Sequence, residues 1–235
     1  ELGSSGMVFV NTGNSGLDGT SGNLIFETGD ASQGSSGEVI FQTGIATFGK
    51  GGSVLLKTGL AGSENGGNMT LLAGDMLDQD STGGSVFLKA GNGLNAKSGG
   101  LGGNVSIVAG LSFGQATHNG GGSLNISGGT SIGGQGGNVK IVGGRGLKRT
   151  SGALYVQSLN SGESGTSGDI RIFTGTASYG NTGDINFQTG LSQRGPAGNV
   201  SLVVGNSGSN GGGNIGLSGG HQIFGTGGAI HIKSG

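Results

Sequence analysis

The side chains that could do chemistry are few, and each sits in a local pattern that can be weighed. Gly44 to Gly51 reads GIATFGKG, one residue short of a phosphate-cradling P-loop; Gly51 stands where Ser or Thr should hold the metal, and an alternating apolar segment follows in place of a helix. Gly110 to Gly114 (GLSFG) and Gly129 to Gly133 (GTSIG) spell the elbow of a serine hydrolase, which would make Ser112 a nucleophile. That elbow needs a strand-to-helix turn, and no stretch of this chain offers a helical period. His118, His221 and His231 lie in different repeats and read as solvated imidazoles. Asp75, Asp78 and Asp80 cluster in DMLDQD, where hard cations could find carboxylates, but a solvated acidic loop is the simpler account. Arg145, Lys148 and Arg149 form a small basic loop of solubilising type. The nine-residue Gly-Gly-x-Gly-x-Asp unit of calcium β-rolls does not occur, and zero Cys removes disulfides and thiolate sites. The expectation is a non-enzyme with no cofactor and no metal centre.

Asn68, Asn104, Asn125 and Asn199 head Asn-x-Ser/Thr sequons and are candidate glycosylation sites, although the repeat described below generates such matches by itself. Eleven Lys plus Arg against twelve Asp plus Glu, with two Tyr and no Trp, give neither the basic footprint nor the stacking aromatics of a nucleic-acid binder. No apolar run approaches the roughly 20 residues of a membrane helix, so no membrane insertion is expected.

The elements that position these residues are set by a repeat. Gly and Pro together number 63 of 235 residues, a content that without a period would indicate low complexity. A period exists: Gly, polar, apolar, variable, apolar, variable, small, Gly recurs, most clearly in GEVIFQTG (37–44), GSVLLKTG (52–59), GDIRIFTG (168–175) and GDINFQTG (183–190). Counting leading glycines from Gly6 to Gly228 gives fifteen copies, with nine of the fourteen intervals equal to 15 residues. The third and fifth positions, such as Val39 and Phe41 or Ile170 and Ile172, are apolar in every copy. Alternation with period two predicts one strong strand per repeat.

Fifteen residues are too few for a crossover helix but enough for one narrow coil. The expected fold is therefore all-β: a single parallel β-solenoid, or β-helix, of about fifteen coils with a basic 15-residue repeat. A stack of antiparallel hairpins would need two strong segments per unit, where each unit has one strong and one weak. Residues 1–235 are expected to form one continuous array, with longer inserted loops within 75–83, 92–102 and 111–121. Glycine at both ends of each strand would supply positive φ or close approach, and a small residue two places after the closing glycine (Ala46, Ser112, Ser131, Ser192) would face a thin interior. With the third and fifth positions inward, Ile141→Asp is expected to disrupt neighbouring coils.

The outward fourth position carries Phe9, Ile25, Ile40, Leu55, Thr70 and Phe87 in the first six repeats and turns mostly polar afterwards. This stripe is the candidate association surface. Both termini cut the pattern without polar caps, which predicts a piece of a longer array or a unit stacking end to end.

The unit seen nearly whole in 129–144 and 183–198 resembles the glycine- and serine-rich short-repeat proteins predicted in algae, oomycetes and their large viruses. That resemblance implies a surface or extracellular protein. Two function classes follow. One is a structural, self-associating component of an extracellular fibre, appendage or coat; the other is a binding module, either an adhesin for glycans or an ice-binding protein. Ice binding needs an outward row of Thr. Here Thr12, Thr28, Thr43, Thr58, Thr174 and Thr189 occupy the seventh position, expected inward, and the row is broken by Ala73, Ala90, Ala109 and Gly128.

Overall fold

The computed structural model describes residues 3–63, 65–78, 81–95, 99–114, 116, 119–208 and 211–234. It overturns the all-β solenoid: among the described residues there is neither strand nor helix, and the chain is mostly coil. Two units divide it, Glu1–Leu124 and Asn125–Gly235.

The repeat survives as an alternation of unbent segments and bent loops. Gly37 to Gly44 runs without a turn or bend, and bends fall in the loops, at 32–34 and 47–49 in the first unit and at 132–134, 147–149, 163–165, 178–180, 193–195 and 223–225 in the second. Side chains still alternate along a segment. Asp169 and Arg171, at positions two and four, are on the same side, with Nη2 of Arg171 2.7 Å from Oδ2 of Asp169. The pair is well exposed and contributes little stability.

What the segments lack is a ladder. Among the described residues, the backbone hydrogen bonds lie at loop bases and in two local turns, none between the bodies of neighbouring segments. The reason lies at the junctions. In a parallel coil each leading glycine would lie beside the previous leading glycine; instead it lies against the seventh residue of the repeat before it. A methyl group placed on Gly37 would meet Thr28 at 3.4 Å, and on Gly198 it would meet Thr189 at 3.7 Å. Between Gly22 and Gly44 the chain therefore doubles back. The Phe26 and Phe41 rings meet edge to face at 6.2 Å, and residues 25–28 face residues 38–40 across an open groove. The two strong segments that a hairpin would need come from successive repeats, not from one.

No side chain among the described residues is buried. The accessible surface is 24370 Å², whereas a compact monomer of this mass exposes about 9,500 Å² and its unfolded chain about 33,000 Å². Ile141 is 62% exposed, so the inward core expected at the third and fifth positions is absent and Ile141→Asp leaves no carboxylate buried in the single chain.

The two glycines of each segment have different roles. Among the described residues positive φ occurs at Gly99, Gly180, Gly211 and Gly225, all inside loops and none at a segment end. The leading glycine is needed for close approach: a Cβ on Gly52 would lie 3.1 Å from the Thr43 Cβ, while one on Gly44, the closing glycine, would meet nothing within 4 Å. Gly52→Ala should therefore displace the Thr43 side chain and shift its methyl resonance, and Gly44→Ala should leave it in place. Equal responses would remove the distinction.

Candidate association surface

The stripe residues are carried on the face of the segments opposite to positions three and five. From Leu24 to Ile230 the third-position side chains are 45–61% exposed, because the neighbouring segment screens them partly. Phe9, Ile25, Ile40, Leu55 and Phe87 reach 70–89%. Thr70 is exposed as well. All six stripe residues lie in the first unit and are exposed, as are fifth-position residues on the other face such as Phe41 at 70%, and none of them is buried among the described residues. Its groove between Ile25 and Ile40 is flanked by Glu27 and Glu38, which leave the rim polar.

The sequence alone did not foresee that positions three and five are also uncovered. Apolar periodicity tells which residues share a face; it does not tell whether a second layer of the same chain lies over that face. Phe26 against Phe41 is the one ring pair among the described residues, and an edge-to-face contact of this kind contributes about 0.5–1.5 kcal/mol beyond its area.

The other candidate chemistry resolves into local structure. Ser131 Oγ accepts a hydrogen bond from the Gly134 N–H at 2.9 Å, Ser192 Oγ from Gly195 at 3.1 Å, and Ser112 Oγ from Gly114 at 3.4 Å. At Ser131, as at Ser192, the hydroxyl holds a loop bend, and the Ser112 match to a hydrolase elbow is likewise a local contact to its own loop backbone. This also corrects the expectation of a thin interior at that position, since these serines are exposed. Among the described residues no group of three His, Asp or Glu could hold a metal ion. His118 and Asp80 lie outside the described residues. No helix is long and apolar enough to cross a membrane among the described residues. Asn68, Asn104, Asn125 and Asn199 are all exposed; Asn68, Asn104 and Asn199 directly follow a leading glycine, and Asn125 stands at the fourth position of its repeat.

The seventh position is the least exposed of the repeat. Every half-buried residue among those described occupies it: Thr12, Thr43, Ala73, Ala90, Ala109, Gly128, Thr174, Thr189 and Gly219. Thr28 and Thr43 donate long hydrogen bonds, 3.4 and 3.5 Å, to the carbonyls of Gly37 and Gly52. Their hydroxyls are committed to the loop base and do not form the flat outward row that ice recognition requires. Compared with protein-family models, with curated proteins and with solved structures, the chain matches none.

Proposed function

We propose that this is a non-catalytic structural protein whose copies associate laterally, within an extracellular fibre, appendage or coat. The observation that carries the reading is the accessible surface of 24370 Å² with no buried side chain among the described residues. Large apolar side chains left in water draw surfaces together at about 25 cal/mol per Å² of apolar area covered, and monomeric proteins rarely leave patches of this size open. A second copy of the chain is the natural cover, because the same apolar positions recur in every repeat and present the same spacing to another array. The net charge of −1 adds no long-range repulsion between copies. The extracellular setting rests on the resemblance to glycine- and serine-rich short-repeat proteins.

Electron microscopy and sedimentation of the purified chain at rising concentration test the proposal. Ordered assemblies that grow with concentration are the expected result. A chain that stays monomeric at every accessible concentration would overturn it.

A further inference from the structure

Fourteen junctions join the end of one segment to the start of the next, and they fall into two classes. At six of them the leading glycine N–H donates to the carbonyl of the preceding closing glycine: Gly84 to Gly74, Gly103 to Gly91, Gly122 to Gly110, Gly137 to Gly129, Gly152 to Gly144 and Gly228 to Gly220, all at 2.8–2.9 Å. The other eight, at Gly22, Gly37, Gly52, Gly67, Gly168, Gly183, Gly198 and Gly213, carry no such bond. Loop length does not sort them. The bond closes loops with 8 residues between acceptor and donor numbers (144 to 152) and with 12 (91 to 103), while 44 to 52, also 8 apart, stays open.

The residue at the seventh position sorts them without exception. The closed junctions follow Ala73, Ala90, Ala109, Gly128, Gly143 and Gly219; the open ones follow Thr, Ser158 or Val204. We infer that the seventh residue is a steric latch, in which a side chain no larger than methyl lets the loop base close through a backbone hydrogen bond and a γ atom holds it open.

The contacts give the mechanism. At open junctions the nearest atoms to a Cβ placed on the leading glycine belong to the seventh side chain: Cβ and Cγ2 of Thr43 at 3.1 and 3.2 Å from Gly52, Cγ1 of Val204 at 2.8 Å from Gly213. At closed junctions the backbone of the closing glycine has moved in, with Gly144 N 3.2 Å from the same point on Gly152 and Gly74 N 3.1 Å from that on Gly84. The Val204 junction leaves an open hollow lined by residues 204–208 and 211–213. The latch is graded by loop length. Closed loops spanning 10 or 12 residues accept Ala, whereas the three closed loops spanning 8 use Gly, and a Cβ on Gly143 would come within 2.6 Å of the Gly152 carbonyl oxygen.

Five closed junctions are consecutive, from Ala73 to Gly152, and include all three lengthened loops. Long loops lose more entropy on closure than short ones, though the increment is small. A small seventh residue ahead of each insertion therefore lets the longest loops keep tied ends without a change in the segments that carry them.

Amide hydrogen exchange on the full chain, with Thr43→Gly and the reverse change Gly143→Thr, tests the latch. A net hydrogen bond of ordinary strength slows exchange about five-fold. The amides of Gly84, Gly103, Gly122, Gly137, Gly152 and Gly228 should therefore exchange several-fold more slowly than the other eight leading glycines. Thr43→Gly should slow the Gly52 amide to the closed class, and Gly143→Thr should release the Gly152 amide to the open class. Uniform exchange across all fourteen amides, or variants that leave Gly52 and Gly152 where they were, would overturn the inference.

Discussion

Replacing Ile40 and Phe87 together by Asp raises the concentration at which the chain associates by about 100- to 10,000-fold, since each apolar side chain covered at a contact contributes about 1.5–3 kcal/mol and every 1.4 kcal/mol is tenfold. The estimate is a lower bound, because each new carboxylate must also be desolvated or displaced from the contact. Both residues are highly exposed in the single chain, Phe87 at 89%, so the substitutions remove no internal packing and the monomer should keep its hydrodynamic radius. Asn186→Asp, at the same fourth position in the second unit where the stripe has ended, should leave association unchanged. Ile141→Asp separates the two faces of the segments: if only the stripe is covered it has no effect, and if positions three and five are covered too it weakens association like the stripe variants. Sedimentation velocity reads all three. Association that is indifferent to Ile40→Asp with Phe87→Asp would show that the stripe is not the contact surface.

The local rules were legible in the residues and the long-range ones were not. Period-two alternation placed Asp169 and Arg171 on one side of their segment, and there they form an ion pair. Apolar stripe residues were expected to face away from an inward third and fifth position, but the fifth reaches the exposure of the stripe, Phe41 and Ile40 both at 70%, so exposure does not single the stripe out. Glycine was expected at the segment ends for close approach or positive φ; the leading glycine bears out the first, and positive φ belongs to loop glycines instead. The parallel stack failed because a repeat period fixes which residues are equivalent, not which of them become neighbours. Gly37 could have lain over Gly22 or against Thr28 with the same sequence pattern, and only the second is found. A ladder also demands that two backbones meet along their whole length, and here they meet at the loop base.

The latch did leave a signal in the sequence. The seventh position changes from Thr to Ala at Ala73, where the first lengthened loop begins, stays small as Gly128 and Gly143 ahead of the two regular loops that follow the insertions, and returns to a larger residue at Ser158. Read as a broken row of threonines, that change only argued against an ice-binding face. Its structural meaning depends on the leading glycine that the side chain touches, nine or more residues further along, a pairing that no local pattern specifies. The hydroxyl two places after the closing glycine behaves in the opposite way. Ser131 and Ser192 find their partners three residues on, within the same bend, and such turns can be recognised from the residues alone.

A dilute solution of the chain should show no cooperative heat-absorption peak, whereas the assembled protein should. A compact protein of this length absorbs about 160 kcal/mol on unfolding near 60 °C, an enthalpy that comes from the close packing and hydrogen bonding of a buried interior. Among the described residues no side chain is buried, the least exposed large apolar one being Val204 at 38%, and the backbone bonds are isolated at loop bases. Isolated bases open one at a time, so heating should give a gradual baseline. Association changes this by covering apolar rows on many repeats at once. A repeat array then gains stability from neighbour contacts and melts as a unit, with a midpoint that climbs with concentration by mass action. The Ile40→Asp with Phe87→Asp variant should lose that peak and retain the gradual baseline of the monomer. Calorimetry across a hundred-fold concentration range makes the comparison. A sharp transition of full size in the dilute monomer, independent of concentration, would mean that the single chain closes a core of its own, and the case for assembly as the source of its stability would fall.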